Sequence, residues 1–250
     1  MTPAADAICA RGLTKRYGAT LALDGLDMSV KPGEVYGYLG PNGAGKTTTI
    51  RLLLGLHRPT AGSSELFGID AWREPVRAHR QVAYVAGEPF LWPAMTAAET
   101  FEFLARLHGG TDVAYRDGLV ERFQLDTRKK IRALSKGNRQ KVQLIAALAT
   151  RADLLLLDEP TSGLDPQARI EVWQTVKELA ARGTTVLLTT QYLDEAEQLA
   201  DRIAILHGGR IIVNGTLTEL KQLLPPAKVE YVEKQPTLED IFLAVVGTTE

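Results

Sequence analysis

Eight consecutive residues near the start of the chain have the types and spacing of a loop that binds phosphate. They are Gly40, Pro41, Asn42, Gly43, Ala44, Gly45, Lys46 and Thr47, and Thr48 follows them. Glycines allow the backbone to wrap with its N–H groups pointing at phosphate oxygens. At this spacing Lys46 reaches the β- and γ-phosphates, and the Thr47 hydroxyl ligates Mg²⁺. The pattern predicts that this loop and Thr48 bind the phosphates of a nucleotide, Mg-ATP.

The alternative is a glycine-rich turn that matches the pattern by chance. The mostly apolar run Val35 to Leu39 before the loop has the pattern of a strand, and Lys46 to Leu56 after it has that of a helix. A helix that begins at the loop adds free N–H donors and partial positive charge beside the phosphates. This strand, loop and helix order favours the phosphate site over the chance match.

Two carboxylates follow a second apolar run. Leu154 to Leu157 has the pattern of a buried strand, and Asp158 and Glu159 come directly after it. Ligands of open α/β sheets bind at the carboxyl ends of strands. There Asp158 is predicted to hold Mg²⁺ through its water shell, and Glu159 to act as general base on the attacking water. A solvated turn is the alternative, but the phosphate loop on the same sheet favours nucleotide hydrolysis.

These groups require a sheet whose strand ends meet. Further strands are predicted at Val82–Val85, Thr184–Thr189 and Arg202–Leu206, and helices at Gln167–Ala181 and Leu193–Leu199. This alternation predicts an α/β fold with a largely parallel sheet covered on both faces. Two strands, Ala7–Leu13 and Ala22–Val30, precede it, and residues 89–135 read as an inserted helical subdomain. An amphipathic helix is also predicted at Thr237–Val246.

The composition narrows the class of protein. The chain has 250 residues, and its 29 Lys and Arg nearly balance its 30 Asp and Glu, for a net charge of −1. No nucleic-acid partner is expected from that balance. The single cysteine, Cys9, excludes an internal disulfide and a Cys-based zinc site. No signal peptide and no apolar span of roughly 20 residues is visible, so a role at a membrane is expected to be from the aqueous side.

Residues 11–215 resemble the ATP-binding subunit of an ABC transporter. The run Leu134-Ser135-Lys136-Gly137-Asn138, followed by Arg139 and Gln140, resembles the family signature LSGGQ. The resemblance implies a P-loop NTPase three-layer core with a mostly parallel sheet, an N-terminal antiparallel β subdomain and an inserted α-helical subdomain. We expect an ABC ATPase domain over residues 7–220, with the helical subdomain at about 89–145, and a short extension over 221–250.

The signature implies a second chain. In the family this motif clamps the γ-phosphate of ATP that is bound to a partner subunit. The resemblance therefore implies that these residues complete the ATP site of a second ATPase subunit, which is expected to be another copy of this chain. The residues are Ser135, Lys136, Gly137 and Asn138. Ser135 is also predicted to cap the helix that begins there. Lys136 and Asn138 depart from the consensus. Asp165 looks like part of the loop between the two sites, and also fits an ordinary N-cap before Pro166.

Three further positions are assigned by resemblance. Tyr17 occupies the place of the aromatic residue that stacks on adenine, and its alternative is a surface turn. Gly87 stands where the family has a glutamine that ligates Mg²⁺, and Glu88 is a candidate substitute ligand. Gln191 stands at the place of the switch histidine; its amide can donate a hydrogen bond to the γ-phosphate but cannot carry a proton. Hydrolysis is therefore expected either to be slow or to depend more heavily on Glu159.

The remaining motifs resemble ATPase subunits of bacterial ABC-2-type exporters, including the daunorubicin-resistance type. These motifs are the run from Gly87 to Pro93 and Pro236-Thr237-Leu238-Glu239-Asp240-Ile241-Phe242. They imply a separate transmembrane permease that contacts residues 87–98, a peripheral position on the cytoplasmic face of the membrane, and export of a drug, antibiotic or other hydrophobic substrate. Two alternatives stay open: a soluble ABC-type ATPase without a transporter, and a nucleotide-binding regulatory module with little hydrolysis.

Overall fold

A computed structural model describes residues 5–223. Within them lie ten strands and eight α-helices, with short 3₁₀ turns between some of them. The strands are β1 Ile8–Tyr17, β2 Thr20–Val30, β3 Val35–Leu39, β4 Ala61–Leu66, β5 Ile69–Asp70, β6 Val82–Val85, β7 Leu154–Asp158, β8 Thr185–Thr190, β9 Arg202–His207 and β10 Arg210–Gly215. The helices are α1 Lys46–Leu53, α2 Pro75–Ala78, α3 Ala97–His108, α4 Val113–Arg122, α5 Lys136–Leu148, α6 Pro166–Ala180, α7 Leu193–Leu199 and α8 Leu217–Gln222.

The central sheet has the strand order β10-β9-β3-β8-β7-β6. Its β9-β3, β3-β8, β8-β7 and β7-β6 pairs are parallel, and β10 joins the edge as an antiparallel hairpin partner of β9. Parallel pairing brings the carboxyl ends of β3, β7 and β8 to one edge of the sheet. The predicted α/β fold with a mostly parallel sheet is therefore confirmed.

Alternate residues of the central strands enter two different cores. Leu155 and Leu157 of β7 pack with the helices, whereas Leu154 and Leu156 pack with the N-terminal strands and α1. Because successive side chains of a strand point to opposite faces, a strand buried on both faces must be apolar throughout. This explains the unbroken Leu154–Leu157 run, and it produces three layers: helices, central sheet, and the N-terminal sheet with α1.

The N-terminal sheet is antiparallel, with the strand order β2-β1-β4-β5. Strands β4 and β5 were not predicted from the sequence. The sequence of residues 61–66 is AGSSEL, and glycine, alanine and glutamate have weak strand propensity. Residues 61–66 form a strand because they pair with β1, as in Ile8 with Leu66 and Cys9 with Glu65. A partner that is distant in sequence therefore determines this strand.

One other expectation differs from the structure, and one falls on residues that the structure does not describe. Helix α1 ends at Leu53 rather than Leu56, because Gly55 adopts a left-handed φ of 59° that stops the helix. The helix predicted at Thr237–Val246 lies outside the described residues. No helix within residues 5–223 is long and apolar enough to cross a membrane.

Helices α3, α4 and α5 follow β6, and one arginine ties α4 to α6. The Arg122 guanidinium at the end of α4 donates to Glu171, at 2.6 Å, to Gln174, at 2.9 Å, and to Glu178, at 3.0 Å. These three acceptors lie on one face of α6. The side chain of Arg122 is only 25% exposed, so this network is screened less than a surface ion pair.

We predict that Arg122→Met lowers the free energy of unfolding by about 1–2 kcal/mol, because the methionine keeps the packing but leaves Glu171 and Glu178 without their cation. Urea denaturation measures the change. Arg106→Met is the control, since its pair with Glu102 is exposed. Equal effects in the two variants would contradict this account.

Candidate functional site

The loop from Gly40 to Thr47 connects β3 to α1, and its glycines are required by close backbone approaches. A Cβ at Gly45 would lie 2.8 Å from the Ala22 carbonyl oxygen, and Gly45 has a φ of 115°. A Cβ at Gly40 would lie 2.6 Å from the Leu206 carbonyl oxygen. Both distances are too short for any side chain. The loop therefore packs tightly, and α1 begins directly after it at Lys46. The start of a helix offers free N–H donors to an anion.

The Lys46 ammonium group is buried beneath this loop. Its Nζ donates to the carbonyl oxygens of Gly40, at 2.7 Å, and Pro41, at 3.1 Å, and lies 3.5 Å from Oε1 of Glu159. A buried ammonium group needs such partners because burial otherwise penalises its charge. These contacts hold a positive charge where phosphate oxygens would meet the loop.

Thr47 and Asp158 meet across the edge of the sheet. The Thr47 hydroxyl donates to Oδ2 of Asp158 at 2.9 Å, and the Thr189 hydroxyl donates to Oδ1. Hydroxyl and carboxylate oxygens are hard donors, and Mg²⁺ is typically held by one or two carboxylates plus substrate phosphates. No cluster of three His, Cys, Asp or Glu ligands occurs within residues 5–223. The Thr47 hydroxyl and the Asp158 carboxylate fit Mg²⁺ that arrives with a nucleotide.

Glu159 is held in a strained turn. Its φ of 47° lies in the left-handed region, which costs a residue with a side chain about 1–3 kcal/mol. Its N–H donates to the Thr189 carbonyl at 3.0 Å, so β8 holds the turn in place. The side chain consequently projects beside Lys46 and Thr48, lining the same cavity of about 150 Å³.

A second, larger cavity of about 490 Å³ adjoins Thr47, Asp158 and Glu159. Asn42, Gly87, Glu88, Lys136 and Ser162 also line it. The structure therefore brings the phosphate loop, both carboxylates and the Glu88 candidate together. Glu88 is exposed, and its role as a substitute Mg²⁺ ligand stays a prediction.

Gly87 lies close to the carboxylate turn. A Cβ there would be 3.1 Å from the Asp158 carbonyl oxygen and 3.6 Å from Cβ of Glu159. A glutamine at this place would require that carbonyl to shift by a few tenths of an ångström. Because Gly87 has no side chain, its backbone lies closer to the Asp158 carbonyl than a larger residue would allow.

Gln191 is exposed and lines neither of the two cavities around the phosphate loop. It directly follows β8, whose last residue, Thr190, accepts a hydrogen bond from the Gly40 N–H at 3.3 Å. Its backbone is therefore next to the loop, and its contact with a γ-phosphate stays a prediction.

The signature segment begins α5. Ser135 caps the helix as predicted, accepting from the Asn138 N–H at 3.2 Å. Asp165 caps α6 likewise, accepting from the Ala168 N–H at 2.8 Å. Gly137 has a role within its own chain: a Cβ there would lie 2.7 Å from the Gly163 carbonyl oxygen. The signature helix therefore packs directly on the loop that follows Glu159.

Tyr17 lies at the end of β1 and is 41% exposed. Its hydroxyl is hydrogen-bonded to Nδ1 of His57, and Lys15 Nζ lies 4.8 Å from the ring centroid. His57 is 40 residues away in the sequence, and no motif assigns it to this ring. It orients the ring that resemblance assigns to adenine.

A buried carboxyl lies behind Gln191. Glu195 is fully buried, and its Oε1 accepts from the Trp173 indole N–H at 3.2 Å. Burial raises the pKa of Glu195, and nearby Thr190, Thr161 and Trp173 offset that only in part. The sequence offered no signal for this group beyond an acid in a helical pattern.

An apolar groove of about 270 Å³ opens on the helical side of β6. It is lined by Ala83, Tyr84, Ala86, Phe90, Leu91, Trp92, Leu104, Gln143, Ala146 and Ala147. Phe90 is 94% exposed and Trp92 is 44% exposed, although Trp92 also packs edge-on against Phe103. Such exposed aromatic side chains beside a groove are typical of a docking surface for another protein.

Comparison with known proteins agrees with this geometry. A family model described as ABC transporter matches residues 23–162. The Daunorubicin resistance ATP-binding protein DrrA3 of Streptomyces coeruleorubidus is 49% identical over 220 residues, which cover 86% of this chain and 70% of that protein.

Two solved structures have the same fold. An ATP-binding subunit of an ABC transporter superposes with a TM-score of 0.80 at 32% identity, covering 86% of this chain and 92% of that one. A dimeric, post-hydrolysis ATP-binding cassette bound to ADP and phosphate gives a TM-score of 0.77 at 26% identity, covering 84% and 98%.

We predict that Glu195→Gln raises the Tm above that of the unaltered protein at pH 8, and that the two Tm values differ little at pH 4. The pKa of Glu195 is raised in the folded state, so the folded protein favours the protonated carboxyl. The stability contributed by this protonation is complete below the pKa of the unfolded state, and it is lost as the pH rises through the pKa of the folded state. Thermal unfolding of both chains at the two pH values measures this. A Tm difference that does not depend on pH would contradict it.

Proposed function

Because this chain belongs to the ABC transporter family and is an ATPase of that family, we propose that it energises a membrane exporter by hydrolysing ATP. The observation that carries the proposal is the convergence of Lys46, Thr47, Asp158 and Glu159 on adjoining cavities at one sheet edge. A cation, a hydroxyl and two carboxylates are the groups that phosphoryl transfer to water requires.

Each of these groups receives a role in the proposal. The loop N–H groups and Lys46 bind the β- and γ-phosphates, and Tyr17 stacks on adenine. Thr47 would hold Mg²⁺ directly and Asp158 through the water shell of the ion, with Glu88 as a further candidate ligand, and a bound ion would supply positive charge next to the phosphates. Glu159 accepts a proton from the attacking water. Gln191 donates a hydrogen bond to the γ-phosphate.

We propose that two copies of the chain form a nucleotide sandwich. Ser135, Lys136, Gly137 and Asn138 at the start of α5 would meet the ATP of the partner, and Asp165 would lie between the two sites. A helix N-terminus favours an anion, and Lys136 adds a positive charge. The dimeric cassette of similar fold supports this arrangement.

The groove beside Phe90 supports a membrane partner. We propose that a short helix of a separate ABC-2-type permease docks on residues 87–98, which would hold the ATPase on the cytoplasmic face of the membrane. The relative named for daunorubicin resistance supports a drug or antibiotic as the exported substrate. The permease rather than this chain would select that substrate.

Hydrolysis is expected to be slow in the isolated subunit. Gln191 cannot carry a proton as a histidine does, and Gly87 provides no side chain to the larger cavity. Activity would then depend more strongly on Glu159.

We predict that Glu159→Gln lowers kcat by about 10²–10⁴-fold while ATP still binds, because the general base is lost but the phosphate loop is intact. Phosphate release measures turnover, and sedimentation in Mg-ATP is expected to detect a stable dimer. Lys46→Ala is the matched control and is expected to lose ATP binding as well. Normal turnover in Glu159→Gln would refute the proposed mechanism.

We predict that Phe90→Asp reduces the fraction of the protein that sediments with membranes of its host, because a charge in the groove opposes apolar docking. Immunoblotting of washed membranes measures that fraction. Val76→Asp on α2 is the control, since Val76 is 77% exposed and lies outside the groove. Equal retention of the two variants would show that the groove is not the membrane attachment site.

A further inference from the structure

One buried amide on α5 contacts both sides of the nucleotide site. The Gln140 side chain is completely buried, and its Nε2 donates to the Pro160 carbonyl at 3.1 Å and to the Ala86 carbonyl at 3.4 Å. A glutamine amide nitrogen has two N–H donors, and both are used here. Pro160 is the residue after Glu159, and Ala86 is the residue before Gly87.

Ala86 belongs to two surfaces. It lines the apolar groove beside Phe90 and also the cavity beside Asp158 and Glu159. Gln143, one turn further along α5, donates to the same Ala86 carbonyl at 3.4 Å. Ala86 therefore lies between the groove and the carboxylates, and two side-chain amides of α5 bind its carbonyl.

We infer that Gln140 is a positioning residue that couples the docking groove to the catalytic turn, a connection that Gly87 has no side chain to make. A displacement of residues 86–92 by a docked partner would move Ala86, and the amide would transmit it to Pro160 and so to Glu159. The strained turn at Glu159 suits this role, since a small shift of its backbone redirects the carboxylate. This inference rests on the proposed function of the groove.

Gln140→Met in the purified chain tests the effect on catalysis, because methionine has a similar volume and no donors. The expected result is a loss in kcat of about tenfold or more, with the KM for ATP changed less than about threefold. Thr175→Val is the control: it removes a buried hydroxyl that donates to the Glu171 carbonyl of its own helix, α6, and is expected to keep the kcat of the unaltered chain.

Equal kcat values for Gln140→Met and the unaltered chain would overturn the inference. So would a parallel loss of kcat, ATP affinity and Tm, which would indicate a purely structural role. If the unaltered chain released no phosphate, the proposed function itself would fail, and the two failures are therefore distinguishable.

A fluorescent probe tests the coupling itself. Cys9 is the single cysteine, so Cys9→Ser combined with Phe90→Cys places one bimane label in the groove. Mg-ATP is expected to shift the emission of this label, and adding Gln140→Met is expected to reduce the shift at least about twofold at saturating ATP. An undiminished shift in the presence of Gln140→Met would overturn the inference.

Discussion

The hydrogen bond from Thr47 to Asp158 joins residues 111 positions apart, and the register of three parallel strands makes it possible. Leu39 at the end of β3 pairs with Thr190, and Asp158 at the end of β7 pairs with Thr189 on the same central strand, β8. A shift of one residue in the β7–β8 pairing would turn Asp158 to the opposite face, because side chains alternate along a strand. The phosphate loop and the carboxylates form one site only in this register.

Helix α5 braces the loops around that site. Ser135 caps it, Gly137 allows it to approach Gly163, and Gln140 binds the carbonyls before Gly87 and after Glu159. Lys141 lies 3.8 Å from Asp165 at the start of α6. One helix therefore contacts both loops beside the carboxylates, so a partner that moved α5 would act on both.

Three groups in and around the site are energetically unfavourable, and the packing of the surrounding apolar cores must offset them. Lys46 is buried, Glu159 has a left-handed backbone, and Glu195 is a buried carboxyl with a raised pKa. Each is unfavourable by itself. The apolar cores on the two faces of the central sheet hold these groups in place. Successive side chains of β7 enter the two cores in turn, so every residue of β7 before Asp158 is apolar.

Much of the fold was determined by local sequence. The unbroken apolar strands, the glycine-rich loop and the N-cap residues Ser135 and Asp165 act over a few neighbouring positions, so they were predicted close to where they lie. The polar strand β4 was not, because its pairing with β1 rather than its own propensity forms it. His57, Glu195 and Gln140 likewise belong to no local pattern that assigns them a role: their roles depend on partners brought close by folding. The sequence by itself therefore determined the glycine-rich loop and the residue types that line it. Tertiary packing alone decided what supports the loop, since hydrogen bonds across tens of residues depend on the register of the sheet and the placement of α5.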